Sequence, residues 1–409
     1  MSRIEEIRSM VPILGRKVYG KDLVYFDNAA TAQRPQSVID EWNRISSVSN
    51  ANIHRAVHIL ASEATDAYED ARTAVKEFIN AGSREEIIFT SGTTASINLV
   101  AFCFGERYVN EGDEIVVSAV EHHSNLVPWQ MMCRRRKAKL KVIPVDDEGH
   151  LIMDEFPKLL NERTRIVAVT HISNVLGIVN PVEEIIRISH LHNIPVLVDG
   201  AQGIVHCGVD VTAMDCDFYA FSGHKIYAAT GTGVLYGKRR FLEEMPPFLG
   251  GGEMVGTVTI ESSSYADIPY KYEAGTQNFA SSATLKPALG FAKLLNDNDL
   301  IRENRQISLY LENELKKIEG LRLYGTSRKG EEKVSLFSFT VQGVHHEDLA
   351  LILDKMGVAV RSGQMCAEPV MTRFSVTGML RASLAPYNTM AEAEYFIRSL
   401  VRAISMLKD

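Results

Sequence analysis

The sequence predicts an α/β fold in which a mostly parallel seven-stranded sheet is followed by a smaller α+β unit. Seven short apolar runs rich in Val and Ile recur between residues 85 and 237, with helical patterns between several of them. Most of these runs are continuous rather than alternating, as expected for strands buried on both faces of a parallel sheet. The chain has 409 residues, too many for one compact core, so two domains are expected.

The predicted strands are all short. They lie at 87–89, 115–117, 141–145, 166–169, 196–198, 218–221 and 233–236. The last two are joined through Gly231, Thr232 and Gly233, a connection too short for a helical crossover. The final strand is therefore predicted to run antiparallel to the others.

Helices are predicted before and between these strands. Apolar residues recur at helical spacing over 64–79, and Pro181 opens a helix that Asn193 and Pro195 close. Residues 245–290 are rich in Gly, Ser and Pro and are predicted to be loop.

The last part of the chain is predicted to form the smaller α+β unit. It contains a helical pattern over 307–318, a strand at 334–339 and a final helix over 396–404. We therefore expect three parts, which are an N-terminal segment packed on the small domain (1–24), a large α/β domain (25–295) and a small domain (296–409).

Composition excludes several classes of partner. The net charge of −7 argues against nucleic acid and anionic membranes, both of which favour basic surfaces. The N-terminus lacks the apolar region of a secretory signal, and no apolar run approaches the length of a membrane span. Five cysteines without CxxC spacing indicate neither a disulfide framework nor a zinc site, and they fit a reducing compartment. We expect a cytoplasmic protein that binds no metal.

A carboxylate and a lysine end two neighbouring predicted strands. The run at 196–198 is followed by Asp199, and the run at 218–221 leads through Ser222, Gly223 and His224 to Lys225. Pyridoxal phosphate requires this arrangement, because a lysine forms a Schiff base with its aldehyde and an aspartate keeps its ring nitrogen protonated. A lone lysine at a strand end is more often a surface residue, but its context here favours the cofactor.

Several hydroxyl and imidazole groups could bind the cofactor phosphate. Thr93 and Thr94 follow the first strand and open a helix, where free backbone N–H groups attract anions. An ordinary helix cap is the alternative. Ser222 and His224 flank Lys225 and could also bind phosphate, although His224 could equally be a packed loop residue.

Other candidates follow the remaining strands. The paired histidines His122 and His123 follow the second strand, where an imidazole can stack on a flat ring and exchange protons. A metal site there is disfavoured, because no third ligand stands at a recognisable spacing. Asn174 and Gln202 could donate hydrogen bonds to the ring hydroxyl, and a turn-forming role is the alternative for Asn174.

Cys366 and Arg381 are the candidates in the smaller unit. Cys366 lies in a Gly-containing loop, where a mobile thiol could reach a substrate. The other four cysteines are predicted to be small buried hydrophobes. Arg381 could hold a substrate carboxylate, and a surface ion pair is its alternative.

Five motifs together resemble a known family. They are Asp-Gly-Ala-Gln (199–202), Phe-Ser-Gly-His-Lys (221–225), Glu-His-His-Ser-Asn-Leu-Val-Pro-Trp (121–129), Ser-Asn-Val-Leu-Gly (173–177) and Arg-Ala-Ser-Leu-Ala (381–385). They are similar to those of the group II cysteine desulfurases of the SufS/CsdA type, in the class V aminotransferase branch of fold-type I pyridoxal enzymes. The resemblance runs from about Tyr25 to the C-terminus.

The resemblance implies a role for each candidate. Lys225 would hold the cofactor and move the substrate α-proton, and Cys366 would take the sulfur of L-cysteine as a persulfide while alanine is released. His122 would stack on the ring and relay protons, and Arg381 would hold the substrate carboxylate. The further implied contacts are Asp199 and Gln202 to the ring, Thr93, Thr94, Ser222 and His224 to the phosphate, Thr276 to the phosphate across a homodimer interface, and Asn174 and His54 to the substrate.

Alternatives remain open at this stage. L-selenocysteine could be the substrate, or the enzyme could be a C–S β-lyase that releases sulfide and does not need Cys366. A pyridoxal-binding regulatory protein without turnover is a further alternative. A sulfur-acceptor protein is expected as a partner. The chain departs from the family pattern at Ala95, Leu249, Gln277 and Met365.

Overall fold

The computed structural model describes residues 2–296, 298–326 and 333–408. The helices are α1 Arg3–Ser9, α2 Gln36–Val48, α3 Ile59–Phe78, α4 Thr93–Tyr108, α5 Val127–Arg136, α6 Phe156–Leu159, α7 Val182–Leu191, α8 Gly203–His206, α9 Val211–Met214, α10 Arg239–Glu244, α11 Phe279–Ala283, α12 Leu285–Leu295, α13 Asn298–Lys317, α14 His346–Lys355, α15 Glu368–Arg373 and α16 Met390–Lys408. The strands are β1 Lys17–Val18, β2 Lys21–Asp22, β3 Val24–Tyr25, β4 Ile87–Thr90, β5 Glu114–Ser118, β6 Lys139–Ile143, β7 Thr164–Thr170, β8 Val196–Asp199, β9 Phe218–Ser222, β10 Gly233–Gly237, β11 Val255–Val258, β12 Ser263–Tyr265, β13 Leu321–Tyr324, β14 Leu336–Val341, β15 Val358–Ala359, β16 Arg361–Gly363 and β17 Met379–Ser383.

The central sheet has seven strands in the order β4-β10-β9-β8-β7-β5-β6. Strand β10 runs antiparallel to both of its neighbours, and the pairs from β9 through β6 are parallel. The α/β class, the seven strands and the antiparallel last strand are therefore confirmed. Most of these strands are buried along their whole length, which explains their continuous apolar sequence.

Helices cover both faces of this sheet. Adjacent residues of β7 point to opposite faces, so Val167 packs into one core cluster with Tyr68 of α3. Ala168 packs into a second cluster with Phe104 of α4 and Trp129 of α5. In the described part of the chain, none of the helices is long and apolar enough to cross a membrane.

The smaller unit is built on an antiparallel four-stranded sheet, β13-β14-β17-β16. Helices α13, α14 and α16 bury Leu311, Leu353 and Leu400 against it. The predicted strand at 334–339 is present but begins two residues later, at Leu336. Strand β3 pairs in parallel with β15, which brings the N-terminal part of the chain beside this unit.

The prediction that 245–290 is loop is wrong in two places. Strands β11 and β12 form an exposed hairpin, and α11 and α12 begin at Phe279 and Leu285. The side chain of Asn278 accepts a hydrogen bond from Ser281 N and so caps α11. Polar composition concealed these elements, since the hairpin is exposed and α11 consists mainly of small residues.

Candidate active site

A cavity of about 250 Å³ opens at the carboxyl ends of the central strands. Parallel strands bring the residues that follow them to one edge of the sheet, which is where α/β proteins bind ligands. The lining residues are Ala29, Ala30, Thr93, Thr94, His122, Ser124, Thr170, Ile172, Asn174, Asp199, Ala201, Gln202, Ser222, His224, Lys225, Arg361, Met365, Cys366 and Arg381. Among the predicted site residues, Thr276 and His54 do not line it.

Asp199 and Lys225 reach the cavity from adjacent parallel strands. Asp199 is the last residue of β8, and Lys225 lies in the turn between β9 and β10. Asp199 Oδ1 accepts a hydrogen bond from Ala201 N at 2.9 Å, and burial raises the pKa of its carboxyl. Burial lowers the pKa of Lys225 to about 8. The amine is therefore partly uncharged near neutral pH and can act as a nucleophile or base.

Hydroxyl groups gather at the N-terminus of α4. Thr93 N donates to Ser222 Oγ at 2.8 Å, and the Thr93 and Ser222 hydroxyls lie 2.7 Å apart. The Thr94 hydroxyl lies 2.7 Å from that of Ser124. The N-cap residue Gly92 has no side chain to cap the helix, so the remaining N–H groups of the first turn and these hydroxyls form a set of donors suited to a phosphate.

The turn before α4 is closely packed. A Cβ atom on Gly233 would lie 2.4 Å from the Cα atom of Gly92, so β10 directly contacts this turn. His224 lies nearby, with Nδ1 3.1 Å from the Thr31 hydroxyl, and burial lowers its pKa to about 4. His224 is therefore neutral near pH 7 and has one N–H to donate.

His122 is held as a neutral imidazole. Its Nδ1 accepts from Ser124 N at 3.0 Å and lies 2.9 Å from the Ser124 hydroxyl. Because Nδ1 is an acceptor, the single proton of the neutral ring is on Nε2. Burial, with a smaller effect of the Lys225 charge, lowers the pKa of His122 to about 4.

Glu121 anchors the segment that carries His122. Its carboxylate accepts from Thr170 N at 2.9 Å and from Asn125 Nδ2 at 2.7 Å, and it also contacts the Ser118 hydroxyl. These contacts join β5 to β7 beneath the cavity. Burial nevertheless raises the pKa of Glu121 to about 8.

Arg381 is buried, not on the surface. Its Nη1 donates to Asn174 O at 2.8 Å and its Nη2 to Asp27 Oδ1 at 3.2 Å, while its buried Nε has no hydrogen-bond partner. Arg361 lies directly opposite on β16, and its Nη2 donates to Asp27 Oδ2 at 2.8 Å. One carboxylate thus orients two guanidinium groups at the cavity.

Cys366 is an exposed thiol at the rim of the cavity. Asn174 Nδ2 donates to Met365 O, and His123 N donates to Cys366 O, both at 2.8 Å. Cys103, Cys133 and Cys216 are buried, and burial raises the pKa of each thiol. Cys207 is only partly buried, which corrects the prediction that all four of the other cysteines are buried.

Two predicted residues lie elsewhere. Thr276 is exposed in the segment before α11. His54 packs edge-on against Tyr68 and Tyr270, with ring centroids 5.7 and 5.0 Å away. No group of three His, Cys, Asp or Glu side chains within the described ranges could hold a metal ion.

Sequence reasoning missed Asp27, Ser124 and Arg361. Ser124 stands in the motif at 121–129 that contains His122, and Arg361 stands five residues before Cys366. Asp27 lies 334 positions before Arg361. It could have been predicted from the Tyr25–Ala30 stretch, where the resemblance to the family begins.

Known proteins resemble this chain over nearly its whole length. Residues 24–396 match the model of the aminotransferase class-V family. A cysteine desulfurase from Cronobacter sakazakii is 42% identical over 405 residues, covering 99% of each chain. One from Synechococcus elongatus is 44% identical over 98% of this chain, which spans 63% of that longer relative. The crystal structure of the cysteine desulfurase CsdA from Escherichia coli has a TM-score of 0.90, with 39% identity and 99% of each chain covered.

The fold, the site and these similarities define a fold-type I pyridoxal-phosphate enzyme. The chain belongs to the aminotransferase class-V family, in its group II cysteine desulfurase branch. Its cofactor is pyridoxal 5'-phosphate, and the residues of the cavity fit that group. The buried carboxylate matches its ring nitrogen, and the buried amine matches its aldehyde. The neutral imidazole matches its ring face, and the hydroxyl-lined helix N-terminus matches its phosphate.

Proposed function

We propose that this protein is a cysteine desulfurase that converts L-cysteine into L-alanine and retains the sulfur as a persulfide on Cys366. The observation that carries the proposal is that one cavity contains both the buried amine of Lys225 and the exposed thiol of Cys366. The names of its relatives support the same activity.

The cofactor would be held by residues on four sides. Thr93, Thr94, Ser222 and His224 would bind the phosphate, and Thr276 would join them from a second copy of the chain. Asp199 would pair with the ring nitrogen, Gln202 with the ring hydroxyl, and His122 would stack on the ring. When bound, pyridoxal phosphate supplies an electron sink for the substrate α-carbon.

Substrate orientation would fall to Arg381. Its Nε is a buried donor without a partner, and an unmade hydrogen bond at a buried charged group is costly. A substrate carboxylate would satisfy it, while Asn174 and Asp27 fix the rest of the guanidinium. Lys225, whose pKa is about 8, would then remove the α-proton.

Cys366 would complete the reaction. Its thiolate sulfur would form a bond to the substrate sulfur as the substrate C–S bond breaks. The electron pair of that bond stays with the carbon skeleton, which takes up protons and leaves as alanine. The enzyme sulfur is thereby oxidised to the persulfide level and the carbon reduced, so no outside oxidant is needed. The exposure of Cys366 supports this route over β-elimination, which needs no thiol.

We propose that the protein acts as a homodimer in the cytoplasm and passes its sulfur to an acceptor protein. His54 and Thr276 lie outside the cavity of their own chain, which supports a contribution from a second copy. The exposed position of Cys366 supports delivery to a partner, and cysteines that form no disulfide in the described part of the chain fit a reducing compartment.

Product analysis with L-cysteine and a reductant tests the activity. The wild-type protein should form alanine and the Cys366→Ala variant should form none above background, because the sulfur then has no acceptor. Cys207→Ala, which removes a thiol away from the cavity, is the matched control and should retain alanine formation. Pyruvate formed equally by wild type and Cys366→Ala would contradict the proposal and indicate a β-lyase.

A further inference from the structure

The two histidines that follow β5 have different surroundings. His122 lines the cavity, whereas the ring of His123 points to the segment that carries the reactive thiol. His123 Nε2 contacts a carboxylate oxygen of Glu368, the first residue of α15. The two side chains are 35% and 49% exposed, so they lie at the protein surface beside Cys366.

The backbone around the thiol has an unusual conformation. Met365 and Cys366 both have φ of +55°, a region that residues other than glycine rarely occupy. Such a conformation persists only where surrounding contacts hold it. The buried Met365 side chain and the hydrogen bonds to Met365 O and Cys366 O hold the inner side of this loop.

The outer side of the loop is held by His123 and Glu368. His123 N donates to Cys366 O at 2.8 Å, and the ring of the same residue contacts Glu368, two residues beyond Cys366. One histidine therefore holds the loop at Cys366 and two residues beyond it. We propose that His123 and Glu368 are positioning residues that hold the Cys366 loop at the cavity for attack on the substrate sulfur. This inference rests on the proposed role of Cys366.

Two substitutions of Glu368 can distinguish the effect of its contact with His123 from the effect of its negative charge. His123 Nε2 contacts a carboxylate oxygen of Glu368 and accepts a hydrogen bond from Glu368 N at 3.4 Å, so a substitution at position 368 removes only the side-chain contact. A glutamine at position 368 keeps an uncharged polar group that can contact the His123 ring, while an alanine does not. Glu155 pairs with Lys158 at 2.7 Å and is 46% exposed, so Glu155→Ala removes a comparable surface ion pair outside the cavity.

The first measurement is hydrogen exchange at the backbone amide of His123. This amide is protected by its bond to Cys366 O, so its exchange rate reports how often the loop opens. We expect Glu368→Ala to raise that rate roughly fivefold, the upper range for a surface ion pair, and Glu155→Ala to leave it unchanged.

The second measurement is steady-state kinetics with L-cysteine. Glu368→Ala should lower kcat for alanine formation by up to the same factor, because fewer molecules have the thiol in place, and the full factor is reached where the open loop is the more populated state. Its KM should change little, since Arg381 and the cofactor residues are intact. Glu368→Gln should stay within about twofold of wild type in both experiments, since it keeps the contact.

Each outcome decides the question. An unchanged exchange rate or an unchanged kcat in Glu368→Ala would overturn the positioning role. A Glu368→Gln variant as impaired as Glu368→Ala would also overturn it, because charge and not position would then be responsible. Failure of the proposed function gives a different result. Cys366→Ala would then still form product at the wild-type rate, while the difference in exchange rate between wild type and Glu368→Ala would persist.

Discussion

Lys225 shows how burial prepares one residue for chemistry. Its pKa falls from 10.5 to about 8 because burial destabilises the charged amine, while Asp199 partly opposes that effect. Only the uncharged amine can attack the cofactor aldehyde, so raising the pH through about 8 should increase the rate of attachment in cofactor-free protein. The rate should level off above that pH instead of rising to pH 10.5. It can be followed by the absorbance of the bound cofactor.

A second variant checks the sign of this effect. Asp199→Asn removes the negative charge that raises the pKa of Lys225, so the midpoint of the rate profile should move to lower pH. The measurement uses saturating pyridoxal phosphate, because Asp199 also contributes to binding. A midpoint near pH 10 in the wild type would show that Lys225 is not desolvated as the structure indicates.

Individual residues were predictable where they lie at the end of a strand or within a few residues of it. Asp199, Lys225 and His122 could be found because the end of a parallel strand is a fixed place in the fold. Asp27 and Arg361 were not predicted, because their contact joins positions 334 residues apart and leaves no local pattern. The position of Cys366 at the cavity likewise depends on His123 and Asn174, which belong to other segments.

At the scale of elements, a buried carboxylate joins α3, β4 and the segment before α11. Glu273 accepts from Tyr68 Oη at 2.8 Å, from Arg72 Nη1 at 2.8 Å and Nη2 at 2.9 Å, and from Phe89 N at 2.7 Å. Glu273→Ala leaves a buried Arg72 charge without this partner. It should lower the free energy of unfolding by about 3–5 kcal/mol, measured by chemical denaturation.

The neighbouring surface supplies the control for that prediction. Lys286 pairs with Asp70 at 2.7 Å, and both side chains are 58% exposed. Asp70→Ala should therefore cost less than about 1 kcal/mol. Equal effects of the two substitutions would mean that burial does not decide the strength of these contacts here.

Elements were predictable in proportion to their apolar burial. Strands β5, β8, β9 and β10 are wholly buried, so their sequences are continuous apolar runs. The β11–β12 hairpin is mostly exposed and shows no such run. Helix α11 depends on the Asn278 cap and on packing against α3, neither of which apolar periodicity reveals.

For the whole molecule, the cavity depends on contacts between distant parts of the chain. Arg8 pairs with Glu392 at 2.9 Å, β3 pairs with β15, and Asp27 contacts Arg361 and Arg381. The N-terminal segment therefore helps to place the smaller sheet at the edge of the larger one. The domain boundaries at 24/25 and 295/296 stay predictions.

The homodimer proposal predicts that two defective chains can repair one another. Thr276→Ala should weaken pyridoxal phosphate binding about tenfold, the effect of losing one hydrogen bond to a charged group, and Lys225→Ala should be inactive. In a mixed dimer, the cavity of the Thr276→Ala chain keeps its own Lys225 and receives Thr276 from the partner. With random pairing, about a quarter of all cavities should then bind the cofactor with wild-type affinity and turn over L-cysteine.

Co-expression of the two variants and titration of the purified mixture with pyridoxal phosphate measures this fraction. The control is the Thr276→Ala protein alone, at the same concentration of intact Lys225 sites. Its cavities differ from those of the wild type only in the residue that the partner is proposed to supply. A mixture whose activity equals that of its separate components would show that Thr276 serves its own chain or no site at all. Restored affinity confined to the mixture would establish that the phosphate site is completed across the interface.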